Sequence, residues 1–220
     1  MANSTLPHFC SLLLLLLLLP LLPTVFTYTK DDRNIRLDSP LIAQQGTGPW
    51  KSRSGEFAFG FYPIQSDKTL NQFLFAVWFD KIKDKTIVWS ADGNNPAPHG
   101  SALKLSSNKD FVLNDPLGKE LWRPQRNGSK SSCFVMLDNG NLVILDEQYN
   151  PTWESFKEPT DTILPGQTLY RNTTLRSRQS DTNYSKGRFQ LAFQFDGNLC
   201  FILYLCHPKS VGKLIFLAGQ

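Results

Sequence analysis

FVMLDNGNLVI, residues 134–144, is an apolar strand, a polar turn and a second apolar strand. Asn139-Gly140 tolerates the positive φ of a tight hairpin turn, so two antiparallel strands are expected here. The pattern recurs: LKLSSNKDFVL (103–113) and LAFQFDGNLCF (191–201) align with it, with Asp110, Asn141 and Asn198 as anchors. Twelve residues beyond Asp110 lies Trp122, and twelve beyond Asn141 lies Trp153. Trp89 closes an earlier strand, so the three tryptophans are 33 and 31 residues apart. Rings at that period predict a pseudo-symmetric core in which each sheet lends one indole to a shared axis. Three ordinary buried aromatics at a chance spacing are the alternative.

The flanking sequence agrees with an all-β chain. Gly55 to Phe61 alternates, Phe73 to Phe79 is a continuous apolar run suited to a strand buried on both faces, and Thr86 to Ser90 follows a lysine-rich turn. Pro-, Gly- and Asn-rich connections such as Asn94 to Gly100 separate them. Hydrophobic residues make up 41% of the 220 and charged residues 19%, which supports a packed core and excludes a disordered chain. A formal charge of +4, with no basic helix or arginine-rich run, gives no reason to expect a nucleic-acid partner.

Residues 1–27 read as a secretory signal peptide: Leu12 to Leu19 is unbroken leucine, Pro20 and Pro23 break the apolar run beyond it, and cleavage is expected after Thr27. The n-region is weakly basic, and a signal anchor is the alternative. A secreted or cell-surface location, in an oxidising compartment, follows from the signal peptide. Removal of Cys10 with it leaves Cys133, Cys200 and Cys206, so at least one thiol is unpaired within the chain. Cys200 and Cys206 pair across a local loop or stay free. Asn127, Asn172 and Asn183 head N-glycosylation sequons in polar loops of the mature part.

The segments IVWSADGNNPAPHG (87–100), FVLNDPLGKELW (111–122), MLDNGNLVILD (136–146) and TWESFKEPTDTILPGQTL (152–169) resemble the bulb-type lectin domain. More narrowly they are similar to the ectodomain of plant G-type lectin S-receptor-like serine/threonine kinases. SDTNYSKGRFQLAFQFDGNL (180–199) is similar to the lectin-receptor-kinase branch of that group. The resemblance covers about residues 30–199. It implies a β-prism II fold, three antiparallel four-stranded sheets around a pseudo-threefold axis, with an incomplete third sheet as one outcome. It also implies a sugar motif, Q-x-D-x-N-x-V-x-Y, whose amides and carboxylate hydrogen-bond mannose hydroxyls while Val packs on the ring's apolar face.

On that motif, Gln194, Asp196 and Asn198 match the polar trio, Cys200 stands for Val and Ile202 for Tyr. The loss of the tyrosine removes a hydrogen bond worth about 0.5–1.5 kcal/mol. The rival account is that the trio only satisfies backbone groups of its turn. The second copy reads as degenerate: Asn141 and Val143 are kept, Met136 stands for Gln, and a turn one residue longer puts Asp138 out of register. The first copy keeps only Val112, with Asp110 in the Asn place.

After Leu199 the pattern stops. A further tryptophan is expected at position 210, which is Ser, and residues 200–220 lack polar alternation. The expected domains are therefore a lectin domain over 28–199 and a non-family tail, in a truncated relative of the receptor kinases. That tail is expected to leave a sheet edge open and the isolated chain marginally stable.

No kinase loop, nucleophile elbow or zinc spacing occurs, and Glu154 and Glu158 read as a solvated loop rather than a catalytic carboxylate pair. No enzyme activity, metal or cofactor is implied. The expected partners are mannose-type glycans or a glycoprotein ligand, with a receptor or peptide as the alternative. Contact with a membrane is expected only through parts outside this chain.

Overall fold

In the computed structural model the described residues are 35–37, 39–64, 71–125, 130–207 and 210–218, with backbone only from 205 onward. The proposed signal peptide and Asn127 lie outside them. The described chain is almost entirely strand, arranged in four antiparallel sheets. Three of these sheets share one core.

The first sheet is N-terminal. It joins β2 (Trp50–Lys51), β3 (Phe57–Ile64), β4 (Gln72–Phe79) and β5 (Ile87–Ser90), with β6 (Ala97–Pro98) added to β4. The apolar runs of β3 and β4 are buried on both faces, as expected for such runs. Phe57, Phe59, Phe61, Phe73, Phe75 and Val77 face the central core. Their neighbours Ala58, Leu74, Ala76 and Trp78 form a second cluster with Ile87 on the other face. Period-two geometry sends alternate side chains to opposite faces, so a strand apolar throughout needs a cover on each side.

The second sheet orders β1 (Leu41–Ile42), β7 (Ala102–Leu105), β8 (Phe111–Asn114) and β9 (Glu120–Trp122). The third is built from β10 (Ser131–Met136), β11 (Leu142–Asp146) and β12 (Pro151–Glu154), and Ile35 bridges Phe134 at its edge. The sheets therefore hold five, four and three strands rather than four each.

The three tryptophans sit on the last paired strand of each sheet: Trp89 on β5, Trp122 on β9 and Trp153 on β12. Their ring centroids lie 5.9, 5.3 and 5.7 Å apart, pairwise edge-to-face. Edge-to-face pairs contribute about 0.5–1.5 kcal/mol each beyond their buried area. The expected contribution of one indole from each sheet to a shared centre is thus found, in an all-β prism with pseudo-threefold symmetry.

The repeat at 191–201 is not the third corner, and this corrects the sequence alignment. It belongs to a fourth sheet, β13 (Thr173–Arg178), β14 (Lys186–Phe193), β15 (Leu199–His207) and β16 (Ser210–Ala218), which lends no indole to the centre. The third corner is β2 to β5, whose hairpins lack an Asn-Gly signal and so escaped the pattern. The tail, expected to leave an edge unpaired, forms a strand that pairs and becomes the fourth sheet's edge itself. β15 runs through Leu199 without a break and pairs with β16 from Leu199↔Ala218 to His207↔Ser210. Apolar residues without polar alternation still make a ladder, because pairing is a property of the backbone.

The fourth sheet is seated against the first. Tyr184 packs on the Ala58–Leu74–Trp78 cluster, the Lys186 backbone N–H donates to Asn94 Oδ1 at 2.9 Å, and Arg176 N–H donates to the Thr160 carbonyl at 2.9 Å. A Cβ at Gly93 would overlap the Tyr184 carbonyl oxygen, so only glycine permits that approach.

Candidate functional site: the repeated hairpin turns

Three hairpins share one register. Leu105 pairs Phe111, Met136 pairs Leu142, and Phe193 pairs Leu199, each six residues apart. In each, the first turn residue donates its N–H to the fourth residue beyond it: Ser106 to Asp110 at 2.7 Å, Leu137 to Asn141 at 3.0 Å, Gln194 to Asn198 at 2.8 Å. The residue before the anchor has positive φ in every case: Lys109 at 59°, Gly140 at 90° and Gly197 at 93°.

This equality corrects the second-copy alignment. The turn at 137–141 is not longer, so Leu137, not Met136, stands where Gln194 stands, and Asn139 stands where Asp196 stands. Asn139 was the residue missed. Its Oδ1 accepts the Asn141 backbone N–H at 3.0 Å, just as Asp196 Oδ1 accepts that of Asn198 at 3.0 Å. Counting back from Asn141 by the turn length of the third copy would have found it.

Side chains decide what each hairpin can offer. Asn141 is buried and fully engaged: Nδ2 donates to Glu154 Oε2 at 3.0 Å, while Oδ1 accepts from Ser155 Oγ and the Phe156 N–H, both at 3.2 Å. Asp138 accepts the Ser54 backbone N–H at 2.7 Å and so ties the third sheet to the first. Burial pushes its carboxyl upward, but hydrogen bonds from Ser54 and Ser52 outweigh that and hold it below the usual carboxylate range. Val143 is wholly buried with Cys133 and Leu145. This corner is built for structure.

The hairpin at 194–198 keeps its polar atoms outside. Asp196 and Asn198 are exposed, and Asn198 Nδ2 donates to Asp196 Oδ2 at 2.8 Å. Hydrogen bonds from the Asn198 backbone and amide hold the Asp196 carboxyl below its ordinary range. Gln194 Oε1 accepts the Cys200 thiol at 3.2 Å. Cys200 is buried and free, as is Cys133. Ile202, in the tyrosine place, is buried in a small cluster with Ala192 and Cys200. Beside the turn, the Arg171 guanidinium lies 3.7 Å from where a Gly197 Cβ would sit. Gln194, Asp196 and Asn198 are thus brought together on one turn, with an ordered carboxylate and a cation next to it.

The remaining candidates fall elsewhere. Asn172 is exposed at φ 64°, and Asn183 is exposed with its amide on Gln179. Glu154 is ion-paired to Lys157 at 2.7 Å. Glu158 lies over the tryptophan trio as an exposed residue whose carboxyl end turns inward, its Oε1 accepting Trp153 Nε1–H at 2.8 Å and its carbonyl accepting Trp89 Nε1–H at 3.0 Å. Burial pushes the Glu158 carboxyl up, opposed by the Trp153 hydrogen bond. Both glutamates are engaged in contacts within the fold. No helix among the described residues is long and apolar enough to cross a membrane.

A prism of antiparallel sheets on a tryptophan centre, with a polar hairpin turn that recurs, is the arrangement of the class this chain resembles, the bulb-type lectin domain. Residues 86–186 match the family described as D-mannose binding lectin. The chain is a relative, in this region, of the plant G-type lectin S-receptor-like serine/threonine-protein kinases. It is 40% identical over 203 residues to RLK1 of Arabidopsis thaliana, covering 86% of this chain and 24% of that one. It is 43% identical over 197 residues to LECRK3 of Oryza sativa subsp. indica, covering 84% and 24%. The chain spans about a quarter of the length of these relatives, and the match lies in their lectin part. Among solved structures it is similar to the Japanese Marasmius oreades lectin, at 22% identity and a TM-score of 0.35 over 53% of this chain and 87% of that one.

Proposed function

We propose that this chain is a secreted or cell-surface lectin that binds terminal mannose-type glycans through Gln194, Asp196 and Asn198, as part of a receptor-kinase type ectodomain. The observation that carries the reading is the exposed Asp196–Asn198 pair, in which one carboxylate oxygen is oriented by the Asn198 amide while the turn stays open to solvent. A pre-oriented acceptor loses little entropy when a sugar hydroxyl replaces water. Cys200, buried beneath the turn, orders Gln194 through its thiol. A single shallow site gives modest affinity, so several sites or several chains are needed for tight capture.

The chemistry is hydrogen-bond exchange only: Asp196 accepts from a sugar hydroxyl, and the Gln194 and Asn198 amides donate or accept. Exposed Asn172 and Asn183 support glycosylation of the mature chain, which peptide mapping before and after glycosidase treatment would detect. Retention on mannose-agarose, abolished by Asn198→Ala with an unchanged melting curve, supports the lectin. Absence of binding across a glycan array sinks it and leaves a protein-recognition scaffold whose turn bonds only among its own residues.

A further inference from the structure

The fourth sheet and the prism line an open cleft of about 830 Å³ whose lining residues do not include the 194–198 turn. One wall is the loop 90–94 and the end of β9; the other is β13 and β14. Seven charged side chains line it: Asp92, Glu120 and Asp161, with Arg123, Arg176, Arg178 and Lys186. Four of them are ion-paired within the protein, while Asp92 keeps its charge. Arg123 holds Glu120 at 2.7 Å and Asp110 at 3.1 Å, and Arg178 faces Asp161 at 3.6 Å. Asp92 is capped by the Asn94 N–H at 2.9 Å and Asn95 Nδ2 at 2.8 Å.

Arg176 and Lys186, and on the loop side Asp92, have no ion pair among the described residues. Arg176 has no carboxylate partner among the described residues; it donates to Gln190 Oε1 at 2.7 Å and lies 4.6 Å over the Tyr204 ring. Lys186 has no ion pair among the described residues and is exposed at the cleft. Both project from the same sheet, and the contacts through Asn94, Thr160 and Gly93 fix the walls. The rest of the lining is rich in hydroxyls, including Ser90, Thr160, Thr174, Ser177 and Tyr184.

We propose that this cleft is a second ligand site, for a short carboxylate-bearing oligosaccharide. Arg176 and Lys186 anchor the carboxylates through charge-assisted hydrogen bonds, and the serine and threonine hydroxyls exchange hydrogen bonds with the sugar's own. Polar and charged side chains outnumber the apolar lining residues Ile87, Ala91, Leu121, Trp122 and Pro159, which favours a sugar over a peptide anchored by apolar side chains. The volume suits several sugar rings, in the range usual for small-ligand sites. The assignment does not depend on mannose binding at the 194–198 turn.

The test is calorimetric titration of the full chain, at two ionic strengths, with hexagalacturonate, neutral mannopentaose and a hexaglutamate peptide. Hexagalacturonate is expected to bind, more weakly at the higher salt. Lys186→Gln and Arg176→Gln are each expected to weaken it at least fivefold, while Asn198→Ala leaves it unchanged. Arg176 also packs on Tyr204, so the exposed Lys186→Gln variant, with an unaltered melt, is the deciding one. No hexagalacturonate binding, or binding indifferent to Lys186→Gln, overturns the proposal. Equal affinity for mannopentaose also overturns it, because the cations would then play no part. Hexaglutamate binding as tightly would give the cleft to a peptide and overturn the sugar assignment.

Discussion

Asn141 and Asn198 occupy the same position of the same turn, yet one faces inward and the other outward. Asn141 is consumed by Glu154, Ser155 and Phe156, whereas among the described residues the Asn198 side-chain amide bonds Asp196 alone. Identical residues in identical backbone settings therefore have different chemistry. The difference lies in their neighbours: the third sheet continues into Glu154 and Ser155, which fold over Asn141, and among the described residues nothing comparable covers Asn198.

Restoring the motif at the buried corner should not restore binding. Leu137→Gln with Asn139→Asp places the polar trio on the 137–141 turn, but the Asn141 amide stays engaged. Mannose-agarose retention of an Asn198→Ala background is expected to remain absent when these two changes are added. Recovery of retention would show that Asn141 is free to turn outward.

Trp122→Ala should destabilise the chain by about 3–5 kcal/mol, since it empties the centre shared with Trp89 and Trp153. The checks are denaturant unfolding and loss of the near-ultraviolet dichroism of the clustered indoles. A loss under about 1 kcal/mol would mean the prism does not rest on that centre.

Glu158 should make the fold less stable as pH rises. Its carboxyl is raised in the folded state, so its stabilising contribution is present below the unfolded value of 4.5 and is lost as pH climbs through the folded one. Glu158→Gln keeps an oxygen for Trp153 Nε1–H. It is expected to raise the melting temperature at pH 7 and to leave it unchanged near pH 4. An equal shift at both values would assign the effect to packing.

Asp80 should act in the opposite sense. Hydrogen bonds from Lys51, then Lys85 and Trp78, lower its pKa to about 2. Its contribution is present above the unfolded value of 3.8 and is lost as pH falls through about 2. Asp80→Asn is expected to cost about 1–2 kcal/mol at pH 7, as Lys51 and Lys85 are partly solvated, and almost nothing near pH 2. Acid unfolding curves of the two proteins would diverge only above that range.

Gly93→Ala should part the fourth sheet from the prism while sparing the tryptophan centre, because the added methyl meets the Tyr184 carbonyl. The expected readout is faster amide exchange over 173–193 with unchanged indole dichroism. Uniform exchange across the chain would show that the two units unfold as one.

The strands, the hairpin turns and the tryptophan centre were all legible in the sequence, because each depends on residues close in the chain. Asn-Gly and Asp-Gly take positive φ locally, apolar runs need burial, and an indole repeated every thirty-odd residues marks a repeated unit. The corner built from β2 to β5 was not legible as a repeat. Its hairpins use Ser52 to Phe57 and Phe79 to Thr86, with backbone bonds Ser52 N–H to Phe57 O at 2.8 Å and Phe79 N–H to Thr86 O at 3.0 Å and no Asn-Gly turn.

The linear order of residues therefore carried the fold class and the three matching turns, since both arise from backbone preference and hydrophobic period. Which repeat forms a prism corner, which asparagine keeps a free face and where two sheets leave a cleft between them depended on long-range packing. The 191–201 hairpin has the same local signal as 134–144, but it sits in a sheet held to the prism by Tyr184, Asn94 and Gly93. Those contacts join residues some ninety positions apart, and a pattern confined to one turn has no means of recording them.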